Sequence, residues 1–154
     1  MKKIVLLFVS ILLTSINLFA AEPETPNANV SASQGAKYIS VADAKKLQES
    51  GAIIVDSRKP IQYAKEHIKG AVLAYYDEKG GNKNKKAGWD ASKDKFDTTK
   101  IPTDKSTILI TYCNGIRCWK SYKAAVKLTN LGYTNVYWMR DGIPAWKSAG
   151  LPIE

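Results

Sequence analysis

The sequence has little cysteine and little histidine: its 154 residues include two cysteines, Cys113 and Cys118, and one histidine. A zinc site with four protein ligands would therefore need carboxylates, and no ligand spacing in the chain supports one. No internal repeat is present. A core of this length is stable without disulfides or metal. We therefore expect one folded domain that holds no metal and no cofactor.

Acidic residues are also scarce relative to basic ones, 14 against 23, which gives a formal net charge of +9. Such an excess is compatible with nucleic acid, a membrane surface or a small anionic substrate, and also with a solvated surface rich in lysine. Hydrophobic residues make up 45% and charged residues 24% of the chain, a balance typical of a globular protein.

The N-terminus has the order of a secretory signal peptide. Lys2 and Lys3 precede an apolar run over residues 4–13, and a more polar stretch ends at the Ala20–Ala21 pair. We predict a signal peptide over residues 1–20 and a linker over 21–36; an uncleaved anchor is the alternative. The protein is then periplasmic, has no nucleic-acid partner, and has no stable membrane association after cleavage.

Strands and helices alternate in the predicted domain, residues 37–154. The strand runs are continuously apolar, as in a parallel sheet that is covered on both faces. We predict an α/β fold, a three-layer sandwich with a central, mostly parallel sheet flanked by helices. The predicted strands are 52–55, 71–74, 107–112 and 136–138, and the predicted helices are 41–50, 60–65 and 119–131.

Residues 77–100 do not fit this alternation. They include three glycines and seven lysines, and their only large apolar residues are Trp89 and Phe96. We interpret them as a lysine-rich insertion or long loop, which is either a lid over the site or a solvated tether. On the helix predicted at 119–131, the spacing of Lys120, Lys123 and Lys127 predicts a solvated edge, with Lys120 beside the preceding loop.

The most informative residue is Cys113, which ends the strongest apolar strand about six residues before a helix begins. Ligands of open α/β sheets bind at the carboxyl ends of the strands, and a helix N-terminus favours negative charge. That field and the neighbouring Arg117 are expected to lower the pKa of the Cys113 thiol. Gly115 allows the loop to turn without side-chain obstruction. Cys113 is thus the candidate nucleophile.

The second cysteine leaves three interpretations open. Cys113 is an inert buried thiol, or it forms a permanent disulfide with Cys118, or the bridge is reversible and Cys118 is a resolving thiol. We expect a disulfide here to block the pocket that the loop creates. A reversible bridge, formed when the site is oxidised, is compatible with both that pocket and the short spacing of the two cysteines.

Three motifs in this order resemble those of the rhodanese family. The first comprises Val55-Asp56-Ser57-Arg58, Tyr63 and Glu66-His67-Ile68-Lys69-Gly70-Ala71; the second is the Cys113 loop. The third comprises Leu131-Gly132-Tyr133, Val136-Tyr137-Trp138, Asp141-Gly142-Ile143-Pro144-Ala145-Trp146 and Gly150-Leu151-Pro152. The resemblance covers residues 38–154 apart from the insertion. In the cysteine loop the sequence departs from the family pattern: the loop is about two residues longer, and Arg117 falls earlier than the usual arginine. The second cysteine followed by Trp119 is similar to a smaller group of exported rhodanese-like proteins.

The resemblance implies a sulfurtransferase in which Cys113 carries a persulfide. The donor would be a small anionic sulfur compound such as thiosulfate, and the acceptor a thiol or cyanide. Asp56 has a supporting role, and Arg58 either braces its strand or touches the substrate. The substrate-binding residues implied are Asn114, Gly115, Ile116, Arg117, Cys118, Trp119 and Arg58.

The sequence is also compatible with two other functions. One is a persulfide carrier that works with a periplasmic redox or sulfur-trafficking protein and turns over slowly alone. The other is thiol redox chemistry of the Cys113–Cys118 pair, or a phosphatase-like activity, since a longer loop enlarges the anion pocket.

Overall fold

The computed structural model describes residues 35–79, 83 and 89–154. At its centre is a five-stranded sheet in which every pair of neighbouring strands is parallel. The strands, numbered along the chain and given in sheet order, are β1 (Lys37–Tyr38), β7 (Val136–Met139), β6 (Leu109–Tyr112), β2 (Ile53–Asp56) and β3 (Val72–Leu73). The predicted central parallel sheet is confirmed.

Helices cover both faces of this sheet. The described residues contain α1 (Val41–Glu49), α2 (Pro60–Lys65), α3 (Trp119–Asn130) and α4 (Gly142–Ser148). One apolar cluster joins Ile110 of β6 to Ala44 of α1 and Trp146 of α4. The other joins Leu109, the preceding residue of β6, to α3. Because successive side chains of a strand point to opposite faces, the buried run of β6 supplies both cores and fixes three layers.

The predicted elements agree with the structure to within one or two residues at most ends. Ser40 caps α1 by accepting a hydrogen bond from the backbone N–H of Asp43 at 3.1 Å. Pro60 occupies the first turn of α2, as predicted. Outside the insertion, two elements were not predicted: β1, which has only two residues, and α4.

The described residues of the insertion include strand structure. A short antiparallel pair joins β4 (Tyr76–Asp77), where the insertion begins, to β5 (Lys95–Phe96) within it. Asp94 accepts hydrogen bonds from the Tyr76 hydroxyl at 2.9 Å and from the Trp89 indole at 2.7 Å. Trp89 and Phe96 pack against the core cluster on the α3 side of the sheet. The two aromatic side chains therefore anchor the described part of the insertion to the core.

The predicted solvated lysine edge of α3 is wrong for Lys123. Its side chain is fully buried, and its ammonium lies 2.5 Å from a carboxylate oxygen of Glu78. It also lies 5.6 Å from the centre of the Trp89 ring. Helical periodicity places Lys123 on the lysine edge, but the insertion folds over that part of the helix.

The predicted signal peptide, residues 1–20, and residues 21–34 of the predicted linker lie outside the described residues. In the part of the chain that the structure describes, no helix is both long enough and apolar enough to cross a membrane.

Candidate functional site

The candidate site lies where the central strand of the sheet leads into α3. β6 ends at Tyr112, Cys113 follows it and is 1% exposed, and Cys118 occupies the N-cap position of α3. Between them, the backbone N–H of Cys118 donates a hydrogen bond to the Gly115 carbonyl at 2.9 Å, which closes a tight turn. Gly115 has a φ of +119°, in the region that favours glycine. The loop therefore begins at a buried strand end and finishes at the positive end of a helix.

Cys113 and Cys118 are joined by a disulfide, with 6.1 Å between their Cα atoms. The expectation that such a bridge would block the pocket is wrong, because a cavity of about 820 Å³ lies beside the loop with the bridge in place. Cys118 is half-buried and lines this cavity, whereas Cys113 is buried beneath the loop. Of the two cysteines, Cys118 is therefore the more accessible to a molecule in the cavity.

Most of the charged side chains on the cavity wall are cations. Among the described residues, the cations are Lys59, Arg117 and Lys120, against one carboxylate, that of Asp141. Such a surface attracts small anions. The larger part of the wall surface is apolar and includes the exposed side chain of Ile116. The lining residues are Lys59, Gln62, Asn114, Gly115, Ile116, Arg117, Cys118, Lys120, Asp141, Pro144, Ala145 and Ser148.

Sequence reasoning placed Asn114, Gly115, Ile116, Arg117 and Cys118 at a substrate site, and the structure brings these five together on one cavity. It also adds residues from α2 and α4 that are remote in sequence, among them Gln62 and Pro144. Gln62 donates a hydrogen bond from Nε2 to Oδ1 of Asn114 at 3.3 Å, which connects α2 to the cysteine loop. The residues that α2 and α4 contribute have no local sequence signal, because only the tertiary fold places them beside the loop.

Arg58 lies close to this cavity but is occupied by other partners. Its side chain is 3% exposed, and its guanidinium donates to the Asp56 carboxylate, with Nη2 2.7 Å from Oδ2 and Nε 3.0 Å from Oδ1. It also donates to the Glu66 carbonyl at 2.7 Å. Burial opposes its charge, but the hydrogen bonds and the charge of Asp56 outweigh that effect and raise the pKa of Arg58. Arg58 borders a second cavity of about 350 Å³, which shares Asn114 with the first.

Asp56 also ties β2 to the strand that carries the cysteine. The Tyr112 hydroxyl donates to Oδ2 of Asp56, and accepts a hydrogen bond from the backbone N–H of Ile68 at 3.2 Å. Burial and the neighbouring carboxylate of Asp56 raise the pKa of Tyr112, so the phenol keeps its proton. Asp56 therefore supports the end of β6 immediately before Cys113 and is not among the residues that line the cavity.

Trp119, the remaining predicted substrate-binding residue, is placed in the core. Its side chain is 1% exposed and packs edge-on against Tyr122, with 5.3 Å between ring centres. It is not among the residues that line the cavity. In this structure Trp119 anchors the first turn of α3, and through it the position of Cys118.

Gly142, at the start of α4, allows the backbone of the cysteine loop to approach closely. It is not among the site residues predicted from the sequence. Its φ is +64°, and a Cβ atom there would lie 2.3 Å from the Cys113 carbonyl oxygen and 2.6 Å from the Gly115 nitrogen. The next residue, Ile143, donates its backbone N–H to the same Cys113 carbonyl at 3.0 Å. The sequence shows this glycine as part of the third motif. It does not show the close contact with the cysteine loop that requires a glycine there.

Lys120, in the first turn of α3, combines a cavity position with partial burial. Its ammonium lies 4.8 Å from the centre of the Tyr75 ring, a distance at which the ring face attracts a cation. Burial lowers the pKa of Lys120; the charges of Glu78 and Asp77 oppose this shift, and those of Lys59 and Lys83 add to it. This lysine is therefore a cation of the site whose charge is more easily lost than that of an exposed lysine.

The protein is a parallel α/β sandwich that carries a cysteine in the loop between its central strand and the next helix. The sequence model of the rhodanese-like domain matches residues 40–149 of this chain. The chain belongs to the rhodanese-like family, and the resemblance inferred from its three motifs is confirmed.

Solved structures share the fold. The BH2092 protein from Bacillus halodurans is 26% identical, with a TM-score of 0.57 over 82% of this chain and 81% of that one. A thiosulfate sulfurtransferase from Pseudomonas aeruginosa is 19% identical, with a TM-score of 0.56 over 82% of this chain and 22% of that one. A protein of unknown function from Rhodopseudomonas palustris, described as a possible tyrosine phosphatase, is 21% identical, with a TM-score of 0.53 over 85% and 96% of the two chains. At these identities the last two show the fold alone.

Proposed function

We propose that this protein is a sulfurtransferase that moves a sulfane sulfur from a thiosulfate-like donor to a thiol or cyanide through a persulfide on Cys113. The observation that carries the proposal is the position of Cys113, at the end of the central strand and at the start of the loop whose next five residues line a cavity that also holds Lys59 and Lys120. The cations of the wall favour an anionic donor, and the N-terminus of α3 favours the thiolate and the persulfide anion. Membership of the rhodanese-like family supports the same chemistry.

The proposed reaction starts from the reduced cysteine pair, so the disulfide first takes up two electrons and two protons from a thiol reductant. The Cys113 thiolate then attacks the outer sulfur of thiosulfate, the sulfur–sulfur bond of the donor breaks, and sulfite leaves with the bonding pair. The persulfide passes its outer sulfur to cyanide or a thiolate, which regenerates the Cys113 thiolate. Splitting the transfer at a covalent intermediate is nucleophilic catalysis and predicts ping-pong kinetics.

The test is intact mass spectrometry with peptide mapping on the reduced protein after brief exposure to thiosulfate. We expect sulfite release and, when the protein is quenched rapidly, one additional sulfur atom on the Cys113 peptide. The Cys113→Ser variant is expected to give neither. If the wild-type protein releases no sulfite and gains no sulfur, the proposal is wrong.

Turnover separates an enzyme from a persulfide carrier. An enzyme converts thiosulfate and cyanide to thiocyanate over many cycles. A carrier acquires sulfur from a protein donor, such as a periplasmic sulfur-trafficking protein, but turns over poorly with small molecules.

The disulfide favours one second candidate, a thiol redox protein that uses the Cys113–Cys118 pair. Such a protein reduces or oxidises a partner disulfide, and each cysteine is essential. Equilibration with dithiothreitol buffers, followed by alkylation, measures how readily the bridge forms. Hydrolysis of a generic phosphoester by the reduced protein would instead indicate the phosphatase-like function.

For its location we propose the periplasm, on the basis of the signal-like order of residues 1–20. N-terminal sequencing of the protein from a periplasmic fraction tests this. A new N-terminus near Ala21 is expected, whereas an intact N-terminus in the membrane fraction would indicate an anchor.

A further inference from the structure

The two cysteines of the bridge have different surroundings. Cys113 is 1% exposed, and its loop packs closely against Gly142. Cys118 lies on the wall of the cavity of about 820 Å³. A dissolved acceptor therefore reaches Cys118 more directly than Cys113. A persulfide on Cys113 would have Cys118 as its nearest thiol, since the fold allows their sulfur atoms to bond.

The neighbouring thiol has a large kinetic advantage over a dissolved one. A group held in reacting geometry acts at an effective concentration far above that of any solute. Cys118 also occupies the N-cap position of α3, with Arg117 before it and Lys120 in the first turn. The positive end of the helix and these cations favour its thiolate, which is the attacking form.

We propose that Cys118 resolves the Cys113 persulfide and releases its outer sulfur as hydrosulfide. The Cys118 thiolate attacks Sγ of Cys113, the sulfur–sulfur bond of the persulfide breaks, and the outer sulfur leaves with the bonding pair and takes a proton. The Cys113–Cys118 disulfide is the other product. This step rests on the proposed persulfide chemistry of Cys113.

The overall reaction balances in atoms and electrons with thiosulfate and the two cysteines as the only reactants. Thiosulfate and two cysteine thiols yield one disulfide, one hydrosulfide and one hydrogen sulfite. The sulfane sulfur is reduced, and the cysteine pair supplies the two electrons. The cycle then needs a dithiol or two monothiols as reductant. The reductant thiolate attacks Cys118 on the cavity wall, and Cys113 leaves as the thiolate that the next thiosulfate meets.

A single turnover without added thiol tests the proposal. The protein is reduced with dithiothreitol, freed of it under nitrogen and mixed with excess thiosulfate; sulfite, sulfide, free thiols and intact mass are then measured. We expect wild type to release one sulfite and one sulfide per chain and to lose both thiols. The Cys118→Ser variant is expected to retain the sulfur on Cys113 and to release no sulfide, and Cys113→Ser to release neither product.

Each contrary outcome has a distinct meaning. If wild type releases sulfite but keeps the sulfur atom and an alkylatable Cys118, the resolving step is overturned and sulfur transfer by Cys113 stands. Sulfur found on Cys118, or sulfide released equally by Cys118→Ser, also overturns it. If wild type releases no sulfite, the sulfurtransferase proposal itself fails. The wild-type stoichiometry decides the matter even if Cys118→Ser does not fold.

Discussion

The side chains of Lys123 and Glu78 form an ion pair that is almost completely shielded from solvent, with exposures of 0% and 2%. The pair fastens the insertion to α3 at the fifth residue of the helix, counted from Trp119. The second oxygen of Glu78 is buried and has no hydrogen-bond partner among the described residues. Lys123 pairs with the other oxygen directly, and the charge of Lys120 also interacts with this carboxylate.

The Lys123→Met variant leaves the Glu78 carboxylate buried without its cation. We expect the free energy of unfolding to fall by about 3–5 kcal/mol, as for other buried pairs that lose one partner. Urea denaturation followed by circular dichroism measures this. Lys127→Met, near the C-terminus of the same helix, is the matched control. A second substitution, Glu78→Met, is expected to recover much of the loss, whereas equal losses in Lys123→Met and Lys127→Met would contradict a structural role for the pair.

Arg58 and Arg117 are expected to respond in opposite ways to the same substitution. Arg58→Met leaves the buried Asp56 carboxylate without its partner, so stability falls by about 3–5 kcal/mol while the KM for thiosulfate of the folded protein changes little. Arg117→Met removes an exposed cation from the cavity wall, so KM rises and stability stays within about 0.5 kcal/mol. Denaturation and steady-state kinetics on both variants test this. A large rise in KM for Arg58→Met at unchanged stability would assign Arg58 to substrate binding.

Gly142 and Gly150 separate the effect of a close contact from the effect of backbone strain. Their φ values, +64° and +68°, are nearly equal, but a Cβ at Gly150 meets nothing within 4 Å. Gly150→Ala is therefore expected to cost about 1 kcal/mol of stability from conformation alone. Gly142→Ala must in addition displace the Cys113 carbonyl and Gly115, so we expect a larger loss of stability and a loss of sulfite release. Similar behaviour of the two variants would show that the loop does not depend on this contact.

The sequence predicts best those features that depend on neighbouring residues. The apolar run of β6 and the cap and glycine signals around α1 predict their elements because burial and capping act locally. The two-residue β1 is too short to have a periodic pattern. For α4, its N-cap residue, Asp141, makes no capping hydrogen bond through its side chain, and Pro144 lies within the helix. The local signal for α4 is therefore weak.

Features built by distant residues were not predictable in the same way. Helical periodicity correctly groups Lys123 with its neighbouring lysines, yet its environment depends on Glu78, 45 residues earlier. The cavity wall likewise combines Lys59 and Asp141 with the cysteine loop. The sequence therefore indicated the candidate nucleophile and its loop, while the remaining wall residues and the relation of the disulfide to the cavity required the tertiary structure.

Lys120 gives the site a testable dependence on pH. A lysine is charged below its pKa, and burial lowers the pKa of Lys120, so its charge is lost at a lower pH than that of an ordinary lysine. If this charge helps to hold the anionic donor, kcat/KM for thiosulfate falls as the pH rises through that lowered pKa. The measurement is kcat/KM against pH at constant ionic strength, which keeps the screening of charges fixed.

The Lys120→Arg variant tests whether that alkaline decline belongs to Lys120. A guanidinium stays protonated throughout this range, so the decline is expected to disappear while activity near neutral pH is retained. Lys127→Arg, in the last turn of the same helix, is expected to keep the wild-type profile. An alkaline decline that persists unchanged in Lys120→Arg would assign it to another group and remove Lys120 from donor binding. Its disappearance in Lys120→Arg alone would instead identify this lysine as the titrating cation of the cavity.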